Sequence, residues 1–113
     1  MGLTEKDTMS KVTFKSLIES KTPTLIDFYA DWCGPCQVLG PIIEEVKQEV
    51  GEKATVIKID VDRNQELAQR LQIRSIPTMM IFKEGELKWR GMGVQAKGAI
   101  LNQLEEHMET EEA

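Results

Sequence analysis

The pentapeptide Trp32-Cys33-Gly34-Pro35-Cys36 constrains this chain more than any other stretch. It holds both cysteines and follows directly on the most apolar early run, Thr24-Leu25-Ile26-Asp27-Phe28-Tyr29-Ala30. From Cys36 the pattern turns helical: Val38, Leu39, Ile42, Ile43, Val46 and Val50 give a wide apolar stripe, and Gly51 is a natural stop. Leu25 to Tyr29 is nearly continuously apolar, as expected for a strand covered on both faces. The unit is therefore a buried strand, a turn carrying two thiols, and a helix.

The flanking segments extend this pattern. Phe14, Leu17 and Ile18 recur at helical spacing after Thr13, a candidate N-cap, and Lys21-Thr22-Pro23 ends that short helix. Pro41 lies inside the long helix, removes a backbone hydrogen bond and is expected to kink it. Ala54 to Val61 reads as a second central strand. Leu67, Leu71 and Ile73 mark another short helix after Asn64, a candidate cap. Ile76-Pro77 is a break, Thr78 to Phe82 a third apolar strand, and Glu84-Gly85-Glu86 a tight turn into Leu87 to Met92. Ile100, Leu101, Leu104 and Met108 stripe a final helix. This order predicts an α/β fold: a central mixed sheet of four or five strands flanked by helices on both faces. The expected domain covers residues 13–108. A loose lead-in over residues 1–12 precedes it, with or without a short edge strand near Met9 to Val12, and an acidic tail over 109–113 follows.

A chain of 113 residues with 41% apolar side chains supports one domain with one core. The polar opening has no signal-like apolar run, and no run approaches the length of a membrane span. A cytoplasmic location away from membranes is expected. The net charge is −5, but Glu105, Glu106, Glu109, Glu111 and Glu112 account for all of it. A near-neutral body argues against nucleic acid, which needs a basic footprint. The tail is expected to fray in solvent.

Two cysteines in a reducing compartment are catalytic or metal-binding rather than a disulfide framework. Structural zinc needs four ligands, and beyond the two cysteines only His107 is of the usual kind. Covalent haem attachment needs His directly after the second cysteine, where this chain has Gln37. Redox exchange remains. Residues i and i+3 in a first helical turn lie close enough for a disulfide. Cys33, at the helix N-terminus, faces unpaired N–H groups and the positive end of the helix dipole. Both favour the thiolate, so Cys33 is the expected nucleophile and Cys36, one turn in and more buried, the resolving thiol. Pro35 suits a first-turn position and adds no charge, which favours reducing partners over oxidising them.

Cys-Gly-Pro-Cys after Trp32 resembles the active-site motif of thioredoxins, and the similarity runs from about Phe14 to about Leu104. It is supported by Asp27 and Phe28, Pro41, Lys58, Ile76-Pro77-Thr78, Phe82-Lys83-Glu84-Gly85 and Gly93. The resemblance implies a thioredoxin fold and a monomer that reduces disulfides in client proteins. It implies a redox-active Cys33–Cys36 disulfide with no bound cofactor or metal, and re-reduction by thioredoxin reductase using NADPH. Two positions depart from the family's common pattern: Tyr29 stands where Trp is frequent and Gln37 where Lys is frequent.

Asp27, a carboxylate in an apolar strand, is costly to bury without a task or partner. Burial raises a carboxylate's pKa, which suits it to take and return the proton of Cys36, with Lys58 as its charge partner. A strand-end Asp bonded to backbone is the plain alternative, and the resemblance favours proton transfer. The resemblance further implies a cis Ile76-Pro77 bond beside Cys33, where Ile76 pairs with an extended client segment. Trp32, Gly34, Pro35, Ile76, Pro77, Gly93 and Val94 would form its rim. Met79, Met80 and Met92 read as core or groove filler, Trp89 as packing, His107 as solvated, and Asp60 and Asp62 as caps for the next helix. Rival readings are an oxidase or isomerase, and a non-catalytic scaffold in which the cysteines are dispensable.

Overall fold

Strand β1 (Thr24–Tyr29) buries residues on both faces, so only a central position satisfies it. The computed structural model describes residues 11–108. Three further strands, β2 (Thr55–Asp60), β3 (Thr78–Lys83) and β4 (Glu86–Met92), complete a sheet of order β2-β1-β3-β4. β1 and β2 run parallel, with Asp27 beside Lys58; β1 and β3 run antiparallel, with Asp27 beside Met79. β3 and β4 form a hairpin through Glu84 and Gly85, whose φ angles of 53° and 84° give the two-residue turn that matches strand twist.

Four α-helices among the described residues cover the two faces: α1 (Lys11–Ile18), α2 (Gly34–Val50), α3 (Gln65–Arg70) and α4 (Lys97–Glu105). The alternation of strand side chains sorts the core. Leu25, Met79 and Ile81 meet Leu39, Ile43 and Val46 of α2 and Ile100 and Leu104 of α4. Ile26, Phe28, Met80 and Phe82 meet Phe14 of α1 and Leu67 of α3 on the opposite face. Phe14 stands edge-on to Phe82 at 5.7 Å between ring centres. Asp27, in step with Leu25, therefore lies on the α2 side.

The element order and the mixed sheet match the sequence reading, while several boundaries move. α1 takes in Lys11 and Val12, so Thr13 lies inside the helix and is not its cap. The earlier start puts Phe14 in the helix body, where its ring can press on Phe82. An edge strand near Met9 to Val12 is overturned at Lys11 and Val12; Met9 and Ser10, with the rest of residues 1–10, and the tail at 109–113 lie outside the described residues. Asn64 stands before α3 but turns its amide back onto the Asp60 carbonyl at 2.9 Å instead of capping. Leu71 and Ile73 fall beyond α3, yet both pack against the Phe14 side of the core. Gly51 closes α2 at φ 56°, a left-handed conformation that favours glycine. Pro41 sits on an exposed side of α2, and the helix continues through it to Val50.

Trp89 and Gly91 point to the α2–α4 face together, two residues apart on β4. A methyl group at Gly91 would collide with the Trp89 ring, which occupies the space a Cβ would need. Gly91→Ala is expected to displace that ring and to cost about 1–3 kcal/mol, as overpacked sites do. A urea titration should show a lower midpoint with an unchanged slope; an unaltered midpoint would mean the ring moves aside freely.

Candidate active site

β1 ends at Tyr29, and the chain reaches α2 within a few residues. Cys33 is the N-cap of α2, with extended backbone angles (φ −90°, ψ 115°). Its sulfur accepts the Cys36 N–H at 3.2 Å, a task usually given to a Ser or Asp oxygen. Pro35 occupies the first turn, where its missing N–H leaves no bond unmade. Cys33 and Cys36 are joined in a disulfide with Cα atoms 5.3 Å apart. The first turn of a 17-residue helix thus aims its positive end at sulfur.

Three loops converge on this pair. The Ile76-Pro77 bond is cis, and the Ile76 carbonyl oxygen lies 3.8 Å from the Cys33 sulfur. Gly93 (φ 84°) donates its N–H to the Pro77 carbonyl at 2.9 Å, so the end of β4 fastens this loop. Trp32 is 71% exposed, and its indole N–H donates to Asp62 at 2.8 Å. Gly34 and Pro35, between the two cysteines, are exposed, and so is Val94 after Gly93. Of the rim residues expected from the sequence, Ile76 meets the disulfide, Pro77 follows it through the cis bond, Gly93 meets Pro77, and Trp32 adjoins Cys33 in the chain.

One expectation fails. Cys36 is not the deeper thiol: Cys33 is 3% and Cys36 5% exposed. Ile76, with Tyr29 and Val61, packs against the pair, and the Ile76 carbonyl lies over the Cys33 sulfur. Other residues were missed. Asp62 anchors the Trp32 indole instead of capping α3, and Asp60 accepts the Asp62 N–H at 2.8 Å. A depression of about 350 Å3 beside Trp32 and Ile76 is walled by Val61, Ala68, Ile73 and Arg74, none of which carries a motif. Met92 is exposed at the rim strand while Met79 and Met80 are core. His107 is half-buried, and its carbonyl accepts from Lys83 at 2.7 Å.

Asp27 is fully buried under α2, and neither carboxylate oxygen has a hydrogen-bond partner among the described residues. Burial pushes its pKa up to about 6, against the opposing pull of Lys58. Lys58 is the register neighbour of Asp27, but its ammonium sits 4.6 Å over the Tyr29 ring. It therefore acts on Asp27 through space, without an ion pair. A hollow of about 270 Å3 is lined by Cys36, Lys58, Tyr29 and Ala30, so water can approach Cys36 from this side. No group of three or more metal-ligating side chains occurs among the described residues.

A sulfur pair at a helix N-terminus, beside a cis-proline loop on a mixed sheet, defines a thiol–disulfide exchange protein. The thioredoxin family profile matches residues 5–106. The chain is 46% identical to the thioredoxin of Rickettsia felis over 88 residues, covering 78% of this chain and 84% of that one. It is 39% identical to thioredoxin 1 of Synechococcus elongatus over 101 residues, covering 88% and 94%. The solved structure of a mutant thioredoxin from Halobacterium salinarum superposes with a TM-score of 0.80 at 33% identity, covering 97% of this chain and 98% of that one. The chain belongs to the thioredoxin family, and it is a thiol–disulfide oxidoreductase whose redox centre is Cys33–Cys36. No described helix is long and apolar enough to cross a membrane.

Asp27 makes stability depend on pH. Its carboxyl binds a proton more tightly in the native state than in the unfolded chain, where the pKa is near 3.8. Stability is therefore lost as pH rises from 3.8 to about 6, by at most about 3 kcal/mol at about 1.4 kcal/mol per pH unit. Asp27→Asn is expected to exceed the wild type in urea stability by up to that amount at pH 8 and to match it near pH 3. A gain of equal size at both pH values would exclude ionisation as its cause.

Proposed function

We propose that the protein works as a monomer in the cytoplasm, reducing disulfides of client proteins and being re-reduced by thioredoxin reductase with electrons from NADPH. The observation that carries this reading is the Cys33 sulfur at the N-cap of α2 with the Ile76 carbonyl 3.8 Å away. A reactive sulfur and a strand-like pairing edge share one small apolar rim.

In this reading the Cys33 thiolate attacks a client disulfide. A Cys33–client mixed disulfide forms, and the other client sulfur leaves and takes a proton from solvent. Asp27 then removes the proton of Cys36. The Cys36 thiolate attacks the Cys33 sulfur, re-forms the intramolecular disulfide and expels the second client thiolate, which receives the proton back. Two electrons have passed to the client. Lys58 opposes the rise in the Asp27 pKa through its charge, and the hollow beside Cys36 gives water a way to that residue. Trp32, Gly34, Pro35, Ile76, Pro77, Gly93 and Val94 hold the extended client segment. Cys33 and Cys36 differ by role through access: the Cys33 sulfur borders the rim, and Cys36 borders the inner hollow.

Insulin reduction coupled to NADPH through thioredoxin reductase is the direct test. Wild type should be active and Cys33→Ser should fall to background; equal rates would support the scaffold reading instead. With Cys33 mixed disulfides trapped and then chased, Asp27→Asn should slow resolution by roughly a hundredfold at pH 7, the lower range for a lost general base. The wild-type resolution rate should climb as pH rises through about 6, where Asp27 ionises. An unchanged rate in the Asn variant would remove Asp27 from the mechanism.

A further inference from the structure

α3 ends in a hydrogen-bonded cap of the type normally built on glycine. The Gln72 N–H donates to the Gln69 carbonyl and the Ile73 N–H to the Ala68 carbonyl, both at 3.0 Å. The left-handed position of this cap is Gln72 (φ 57°), a conformation disfavoured for a residue with a Cβ. Two carbonyls at this end, those of Leu71 and Gln72, are taken by one side chain from the far edge of the sheet. Arg90 of β4 donates from Nη1 to Leu71 at 2.9 Å and from Nη2 to Gln72 at 2.7 Å.

The register explains the reach: Arg90 pairs with Met80 and so shares the face that α3 covers. Its planar fork spans two successive carbonyls, and its charge suits the negative end of a helix. The segment it holds runs straight into the cis-proline loop. At the other end of that segment, Thr78 Oγ1 donates to the Ser75 carbonyl at 2.7 Å and Gly93 N–H to the Pro77 carbonyl at 2.9 Å. β4 and its exit therefore grip residues 71–77 at both ends, with Ile76 between the grips.

We propose that Arg90 is a positioning residue: it fixes the cap of α3 so that Ile76 stands ready beside Cys33 for an incoming client backbone. This rests on the reading of the protein as a disulfide reductase that pairs with extended clients. Arg90 touches neither sulfur, so it sets the affinity for a protein client and leaves the exchange chemistry alone.

The test compares wild type, Arg90→Met, which keeps an apolar stem, and Arg90→Lys, which restores the charge and one of the two bonds. With insulin as substrate, KM should rise by roughly three- to tenfold in the Met variant and less in the Lys variant, at nearly constant kcat. A small aryl disulfide, too short to lie along Ile76, should react with all three reduced proteins within about twofold. The Cys33–Cys36 reduction potential should not move. Amide exchange at Ser75 and Ile76 should quicken in the Met variant while the interior of β1 is unchanged. Unaltered insulin KM, or an equal loss on both substrates, would overturn the proposal. So would unaltered amide exchange, which needs no activity to be read. A wild-type protein inactive on insulin would instead overturn the functional reading, and the exchange measurement would still report whether Arg90 holds the loop.

Discussion

The structure depends on a sulfur doing the work of a helix cap. α2 is the longest of the described elements and covers one face of the sheet through Leu39, Ile43 and Val46. Its start is fixed by Cys33, whose sulfur takes the Cys36 N–H. A sulfur is a weaker acceptor than the oxygen of Ser or Asp, so the helix cannot rely on its cap alone; Pro35 and the buried stripe do the rest. This arrangement makes the reactive atom a structural one. Whatever charge or bond the sulfur acquires, it remains in the field of the same N–H groups and the same dipole.

Below that helix end the chain keeps a carboxylate where an apolar residue would be more stable. Asp27 shares a face with Leu25 and contacts no hydrogen-bond donor among the described residues. Lys58 is close enough to oppose its pKa rise but is held over Tyr29, so desolvation outweighs attraction. Tyr29 matters here because its ring gives the ammonium a resting place short of the carboxylate. The outcome is a buried acid that titrates near neutrality, which an ion pair with Lys58 would have prevented.

The sheet and its layers were legible because β1, β3 and α2 carry strong apolar patterns, and the Cys-Gly-Pro-Cys turn could only join a strand to a helix. The start of α1 was not, because a Thr before Phe14 looks like a cap although burial of Phe14 asks for a longer helix. The equal burial of Cys33 and Cys36 was not legible either, since it depends on Ile76 arriving from far along the chain. Arg90 carried no signal, and Asp62 signalled only a helix cap. Each bonds an atom from a distant segment, the Trp32 indole in one case and the Leu71 and Gln72 carbonyls in the other. Single-strand periodicity reports which face a side chain takes, not what waits there.

That division has a physical basis in how the site is assembled. The chemistry needs two residues three apart on one helix turn, which local sequence can specify. The rim needs segments separated by tens of residues to meet within hydrogen-bond distance, and only the sheet can bring them together. β4 lies at the sheet's edge among the described strands, pinned on one side by β3 alone. Its bonds to residues 71–77, from the Arg90 side chain and the Gly93 N–H, therefore carry the order of the sheet to the loop that faces Cys33. In the proposed reading an extended client pairs at Ile76, where the backbone faces the sulfur, so recognition falls where exchange can follow.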